Sequence, residues 1–337
     1  MTSLRLFAFV LVAVAITSLA RPAPVAAAET YVMKLGTASI NDQQYEWLKR
    51  YQAAVEKDSG NRIRVEIYPS AELGSIPRMI EGTQFGSIQG YVGPPGFLSG
   101  VDSRYEILDT PAIGATPEQF IRTIEDAQFS KAFLGLGADK GLVGISLFYN
   151  GQVSLIFRKP VRQLSDTRGL KIRSTAGAAA DRVIRAYDAT PVPMPLDQVL
   201  TALQQGALDG ILSTIAVVTP QKYYTVAPDA VPIDRDYAAS ITVIGKAWLE
   251  ALPPDLQRIV VADGDRVGRG LDPFTRSYLL AQRAAWIAGG GSLGSLPAAD
   301  RKVLDARMNT IAADLSNSSP DVAAMYRVLS AAAARNR

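Results

Sequence analysis

The residue with the clearest chemical use is Arg173. It ends the run Leu170-Lys171-Ile172-Arg173, where apolar and charged side chains alternate after a turn at residues 166–169. Alternation with period two is the pattern of a strand, and it places Arg173 on the face opposite Leu170 and Ile172. In open α/β sheets, ligands bind outside the carboxyl ends of strands. A guanidinium there is a rigid planar fork that grips a carboxylate through two parallel hydrogen bonds. By pattern alone, a strand-end arginine is also an ordinary surface charge.

Other chemistry is narrowed by what the chain lacks. It contains no Cys and no His. Disulfides, thiolate nucleophiles, imidazole bases and mixed zinc sites are therefore excluded, and neither a metal nor a cofactor is implied. An enzyme built from these residues would rest on carboxylates, as a glycoside hydrolase does, with an acidic pair about 5–10 Å apart across a cleft. No motif points to such a pair, so no enzyme is predicted. Gly135-x-Gly137-x-x-x-Gly141 lacks the Lys-Ser/Thr of a phosphate loop and reads as a helix end followed by a turn.

The elements that must position Arg173 alternate between strand and helix. Residues 31–35 read as a strand, and Trp47, Leu48, Tyr51 and Val55 share one helical face. Ile63, Val65 and Ile67 alternate with Arg64 and Glu66, and a helix over residues 78–85 closes at Gly86. Leu196, Leu200, Leu203 and Ala207 have helical spacing that ends near Gly206. Strands separated by helices imply βαβ units and parallel pairs. Pro253-Pro254 opens a helical stretch that runs to about residue 288, interrupted at Gly268, Gly270 and Asp272-Pro273. Helical sequence resumes at Ala298 and runs into an Ala-rich tail.

Residues 1–28 have the make-up of a secretory signal: Arg5, an apolar run over residues 6–20, then Ala26-Ala27-Ala28 before Glu29. The run is shorter than the ~20 residues a spanning helix needs. Removing 28 of 337 residues leaves 309, above the roughly 250–300 at which one core divides, so two domains are expected. Arg5 and Arg21 leave with the signal, which takes the 35 basic against 32 acidic residues to 33 against 32. That near balance excludes a nucleic-acid surface. The mature chain is expected in the periplasm, not embedded in a membrane.

Seven stretches in order resemble the solute-binding proteins of tripartite ATP-independent periplasmic (TRAP) transporters, dominated by the four-carbon dicarboxylate group. They are VEIYPSAELG at 65–74, MIEGTQFGSI at 79–88, LDTP at 108–111, GLKIR at 169–173, ATPVPMPLDQVLTALQQGALDG at 189–210, KYYTV at 222–226 and WLEALPPDLQRI at 248–259. The resemblance implies an α/β two-domain periplasmic binding protein fold with a ligand cleft between domains and a long cross-domain helix. Domain I would comprise 29–150 plus 239–278, domain II 151–238 plus 279–325, and 326–337 a C-terminal tail. It implies a small organic acid as ligand and TRAP membrane permease subunits as partners, with the protein a monomer. A periplasmic binding protein serving a sensor or another transporter is the alternative.

The resemblance also implies a site. The Arg of GLKIR, Arg173, is the carboxylate anchor in that family, and Asn150, Ser213, Thr214, Arg235 and Tyr237 fall on ligand-facing positions. Departures bear on the ligand. Val153 stands where the family often has a second Arg. Ile211-Leu212-Ser213 replaces its usual Gln-Glu-Asn, and Asp234-Arg235 its common Asn-His. One positive group is lost from one wall and one gained on another, which weakens the expectation of a simple four-carbon dicarboxylate.

Overall fold

The computed structural model describes residues 30–175, 177–317 and 319–337; the predicted signal segment lies outside them. Among the described residues the strands are β1 (Tyr31–Gly36), β2 (Ile63–Tyr68), β3 (Gly90–Gly93), β4 (Leu142–Phe157), β5 (Lys171–Ser174), β6 (Thr190–Pro193), β7 (Gly210–Thr214), β8 (Asp229–Gly245) and β9 (Ser292–Leu293). They form one sheet in the order β2-β1-β3-β8-β4-β7-β5-β6, with β9 added on β8. β1 pairs in parallel with β2 and β3, and β5 with β6 and β7, whereas β4 and β8 run antiparallel to each other. The architecture is thus two parallel triads joined by one antiparallel pair.

That pair is unusually long. β4 has 16 residues and β8 has 17, against a usual strand of about five or six. The near halves, Leu142–Tyr149 against Ala239–Gly245, carry the triad of β3; the far halves, Ser154–Phe157 against Asp229–Pro232, carry that of β7. Between them the ladder is irregular. Tyr149 pairs with Ala239 and Gly151 with Ala238, which leaves Asn150 unmatched. Gln152 pairs with Tyr237 and Ser154 with Pro232, so residues 233–236 face only Val153. Bulges of this kind bend a strand and re-aim its side chains.

Apolar periodicity explains how helices cover the sheet. Helix Gln43–Asp58 is capped by Asp42, whose Oδ1 accepts from the Tyr45 N–H at 3.0 Å. Its Trp47, Leu48, Tyr51 and Val55 are buried against helix Pro254–Arg269 and the β1 side of the sheet. Tyr51 donates to the Val260 carbonyl at 3.0 Å and Trp47 to Ser146 Oγ at 3.0 Å, which satisfies the polar tips of both rings. A second cluster, around Phe157, Ile172, Ile184 and Met308, packs the β5 side. The helical stretch with its expected interruptions at Gly268, Gly270 and Asp272-Pro273 is two helices, Pro254–Arg269 and Asp272–Ala288, meeting at Gly270-Leu271, so the long cross-domain helix that the resemblance implies is divided. Pro273 explains the break: it has no N–H to continue the ladder. Most of 326–337 lies in helix Pro320–Arg335, which buries Leu329 and Ala332 and joins Arg335 to Asp126 at 2.7 Å.

Candidate ligand-binding site

Arg173 is placed by β5, between β6 and β7, with Val192 and Ile211 as its register partners. It is only 3 % exposed, so the surface-charge reading of the strand pattern does not hold. Its Nε donates to the Met194 carbonyl at 2.8 Å and its Nη1 to the Leu212 carbonyl at 3.3 Å. It forms no ion pair with any described residue. Burial draws its pKa down to about 10, against the upward pull of Tyr223, Tyr91, Asp109 and Asp197, yet a guanidinium remains charged at neutral pH. The result is a buried cation whose two backbone contacts leave Nη2 for a guest.

Arg173 opens on a cavity that also receives Asn150, Ser213, Thr214 and Tyr237. Five of the six predicted residues therefore meet in one place. Asn150 sits at the β4 bulge; its side-chain Oδ1 is buried without a partner, while its main-chain oxygen accepts from Gln43 Nε2 at 3.4 Å. Thr214 Oγ1 is likewise buried and unpaired. Buried polar atoms without partners are rare in folded proteins, and here both belong to residues that line the cavity. Tyr237 donates to the Ala115 carbonyl at 3.4 Å, and its ring packs 5.6 Å from that of Phe120. It lines the cavity with its hydroxyl already engaged.

Arg235 does not join them. It is exposed and lines a separate outer groove with Arg122, Tyr326 and Arg337. The β8 bulge is the reason. Arg235 takes the left-handed conformation at φ 58° and its carbonyl accepts from Ala112 N–H at 2.8 Å. That kink turns Asp234 and Arg235 outward and the next residue, Asp236, inward.

Among the cavity residues that the sequence does not single out as ligand-binding are Tyr91, Phe97, Asp109 and Asp236. The Arg173 guanidinium lies over the Phe97 ring. Tyr91 has a buried, unpaired hydroxyl, and the Arg173 charge partly offsets the upward push of burial on its pKa. Asp109 Oδ2 accepts from Thr175 Oγ1 at 3.1 Å. Burial and the nearby Glu106 push Asp109 up to about 7, against the pull of Thr175 and Arg173. Burial and Asp109 push Asp236 up to about 8. Two glycines make the crowding possible. A Cβ on Gly93 would fall 2.0 Å from the Tyr91 hydroxyl, and one on Gly96 would fall 2.0 Å from Asp109 Oδ2. Asp109 belongs to the LDTP motif already noted, so a signal for it was present. Asp236 follows Arg235 directly, and only the bulge decides which of the two faces inward.

The arrangement suits capture of an anion. Tyr91 and Thr214 supply hydroxyls, Arg173 supplies a fixed charge, and much of the remaining wall is apolar, including Ile76, Leu108, Leu196 and Val217.

Comparisons with known proteins follow the same line. The sequence profile described as "Bacterial extracellular solute-binding protein, family 7" (DctP) matches residues 36–314. The chain is 28 % identical over 209 residues to the uncharacterized protein YiiZ of Salmonella typhimurium, covering 62 % of this chain and 64 % of that one. The match thus spans just under two thirds of that relative's length. It is 25 % identical over 231 residues to the 2,3-diketo-L-gulonate-binding periplasmic protein YiaO of Escherichia coli, covering 68 % of this chain and 70 % of that one. In fold it is similar to a TRAP periplasmic solute-binding protein from Desulfovibrio salexigens crystallised with orotic acid. There the TM-score is 0.85 at 23 % identity, over 91 % of this chain and 100 % of the other.

Proposed function

The chain belongs to family 7 of the bacterial extracellular solute-binding proteins, and from that membership we propose that it captures a small organic carboxylate on Arg173 and delivers it to the membrane subunits of a TRAP transporter. Its family is one of binding proteins, and it is not an enzyme. The observation that carries the ligand class is the Arg173 guanidinium: 3 % exposed, without an acidic partner among the described residues, and open to a cavity. A buried charge is tolerated only when it is paired, and an incoming carboxylate supplies the missing half. The names of two similar proteins support the class, since one binds 2,3-diketo-L-gulonate and another holds orotic acid.

In this reading Arg173 grips the carboxylate, with Tyr91, Asn150, Ser213 and Thr214 around it and Tyr237 as wall. The protein acts as a monomer. Residues 29–150 with 239–278 form one domain and 151–238 with 279–325 the other, with 326–337 as the C-terminal segment. The β4 and β8 bulges at residues 150 and 233–236 support that division, because ladder bonds are fewest there. Closure about them brings the low-dielectric walls together, strengthens the charge pair and marks the loaded form for the permease. Export follows from residues 1–28, with cleavage near Ala28. Among the described residues no helix is long and apolar enough to cross a membrane.

Native mass spectrometry of freshly purified protein tests this directly. An acid of defined mass should accompany the wild type and be missing from Arg173→Ala. A folded wild type that retains or binds no acid would sink the proposal. With the acid identified, small-angle scattering should show compaction on binding, and N-terminal sequencing of periplasmic protein should begin at Glu29.

A further inference from the structure

Helix Ala178–Ala186 receives no cap from its own N-terminal neighbour. The N-cap is Gly177, which has no side chain to accept from the first turn, where Ser, Thr, Asp or Asn commonly does so. The acceptor comes instead from 72 residues upstream, where Glu106 Oε2 takes the Ala178 N–H at 3.1 Å. A carboxylate there also meets the positive end of the helix dipole. Glu106 is 9 % exposed and does not line the ligand cavity. At the end of the same 3-10 turn, Ser103–Asp109, the Asp109 Oδ2 accepts from Thr175 Oγ1 at 3.1 Å. Two acids of one short segment thus hold Thr175 and Ala178.

The two stretches of chain meet closely. A Cβ on Gly177 would lie 3.1 Å from Asp109 Oδ2, 3.6 Å from the Glu106 Cβ and 3.7 Å from the Gly96 Cα. On the far side of the contact, Ser174 Oγ donates to Asp181 Oδ1 at 2.6 Å, which ties the end of β5 to the start of the helix. Arg173 immediately precedes Ser174, and its guanidinium lies over the Phe97 ring. The strand end that carries Arg173 and the helix start are therefore joined to each other, and residues 96–109 grip both.

In the two-domain reading, residues 96–109 belong to one domain and 173–186 to the other, so these bonds are made when the cleft closes and broken when it opens. We propose that Glu106 is a positioning residue for carboxylate capture: by capping the helix of the opposite domain it latches the closed form and keeps the Arg173 fork on a bound acid that Glu106 itself does not touch. The proposal rests on the capture and closure reading and adds to it the residue that sustains closure. An acid enters while the cleft is open and the latch unmade. Glu106 therefore governs release and not entry.

The test follows succinate, gluconate, orotate, phenylpropanoate and any acid found retained by mass spectrometry, binding to the immobilised mature protein by surface plasmon resonance. The tightest binder of these is the probe. From Glu106→Ala it should dissociate at least about tenfold faster than from wild type, a difference of about 1.4 kcal/mol, and associate within about threefold of the wild-type rate. Glu106→Gln keeps an oxygen for the Ala178 N–H and loses the charge that strengthens the bond, so its release should fall between the two. A cap that merely stabilised the fold would leave both rates of the folded variant unchanged, and that result overturns the proposal. So does a loss of affinity carried by slower association. If Glu106→Ala fails to fold, Glu106→Gln decides, and release as slow as wild type overturns the latch. Small-angle scattering on wild type separates the readings. Binding of the probe without compaction overturns closure and the latch together while leaving capture on Arg173 standing. Failure of every acid to bind the folded wild type overturns capture as well.

Discussion

The guanidinium carbon of Arg173 lies 5.6 Å from the centroid of the Phe97 ring. A planar cation over a ring face is attracted by the ring's quadrupole, by about 0.5–2 kcal/mol depending on desolvation. With Nε and Nη1 tied to the Met194 and Leu212 carbonyls, the fork is fixed in its plane before any ligand arrives. Binding then forfeits little side-chain entropy at this residue, which is how a prearranged site gains affinity.

Arg173→Ala should lower affinity for the native acid by roughly two to three and a half orders of magnitude. That follows from the about 3–5 kcal/mol lost when one partner of a buried pair is removed. Arg173→Lys should recover little, because an ammonium keeps the charge and loses both the fork and the stacking on Phe97. Calorimetry decides; an alanine variant within about threefold of wild type, well short of the 1.4 kcal/mol that makes a factor of ten, would remove Arg173 as the anchor.

The acid pair predicts a pH dependence for the ligand-free protein. Asp109 and Asp236 sit at about 7 and about 8, above the ordinary 3.8. A raised carboxyl favours the protonated form in the fold. Its contribution is therefore complete below pH 3.8 and is lost as pH rises through 7 and 8. Glu106 and Arg173 act on Asp109 from either side, and Tyr187 and Tyr237 adjoin Asp236. Asp236→Asn should melt close to wild type below about pH 4, where the wild-type carboxyl is protonated in both states, and at least about 2–4 °C above it near pH 8.5, the shift that 1 kcal/mol gives in a chain of this size. A melting difference that does not change with pH would contradict the sign.

Gly96→Ala should act on the site through Asp109. Its Cβ would stand 2.0 Å from Asp109 Oδ2, so the carboxyl must swing away from Thr175. The expected effect is a fall in ligand affinity of about tenfold, or 1.4 kcal/mol, in an otherwise folded protein. In an Asp109→Ala background the same change should add almost nothing, since groups in contact couple and the contact is gone. Additive losses in that double-variant cycle would place the effect elsewhere.

Arg235→Ala should leave affinity within about threefold of wild type, under 1 kcal/mol. Its side chain lines the outer groove beside Arg122 and Arg337, away from the cavity. A clear change in preference among acids would instead make Arg235 the ligand-tuning charge that the resemblance implies.

The regular elements were largely legible. Alternation at Ile63, Val65 and Ile67 became β2, the face of Trp47 and Tyr51 became the first helix, and the strand ending in Arg173 became β5. β4 and β8 were not read, because each changes face partway through its length. A bulge inserts residues against the partner strand, and period two then fails across the insertion. The same cause explains Arg235 and Asp236. A shift of one residue exchanges the faces of a strand, and no local pattern announces where the shift falls. The motif resemblance carried Asn150, Ser213, Thr214 and Tyr237 to the cavity because it aligns positions without needing the register.

The antiparallel pair also sets the order in which the molecule can fold. Gly90 of β3 finds its partner in Ile244 of β8, and Trp47 and Tyr51 find theirs near Val260. The first third of the chain thus cannot close its core until residues beyond 240 have been made. Contacts so distant along the sequence slow folding, because the loop must be closed before the pairing rewards it. A chain emerging from the ribosome with only its first 150 residues lacks the β8 partner of Gly90 and the helix that packs on Trp47 and Tyr51. If export proceeds as residues 1–28 suggest, this delay keeps the polypeptide threadable until it has crossed, and the native sheet assembles on the far side.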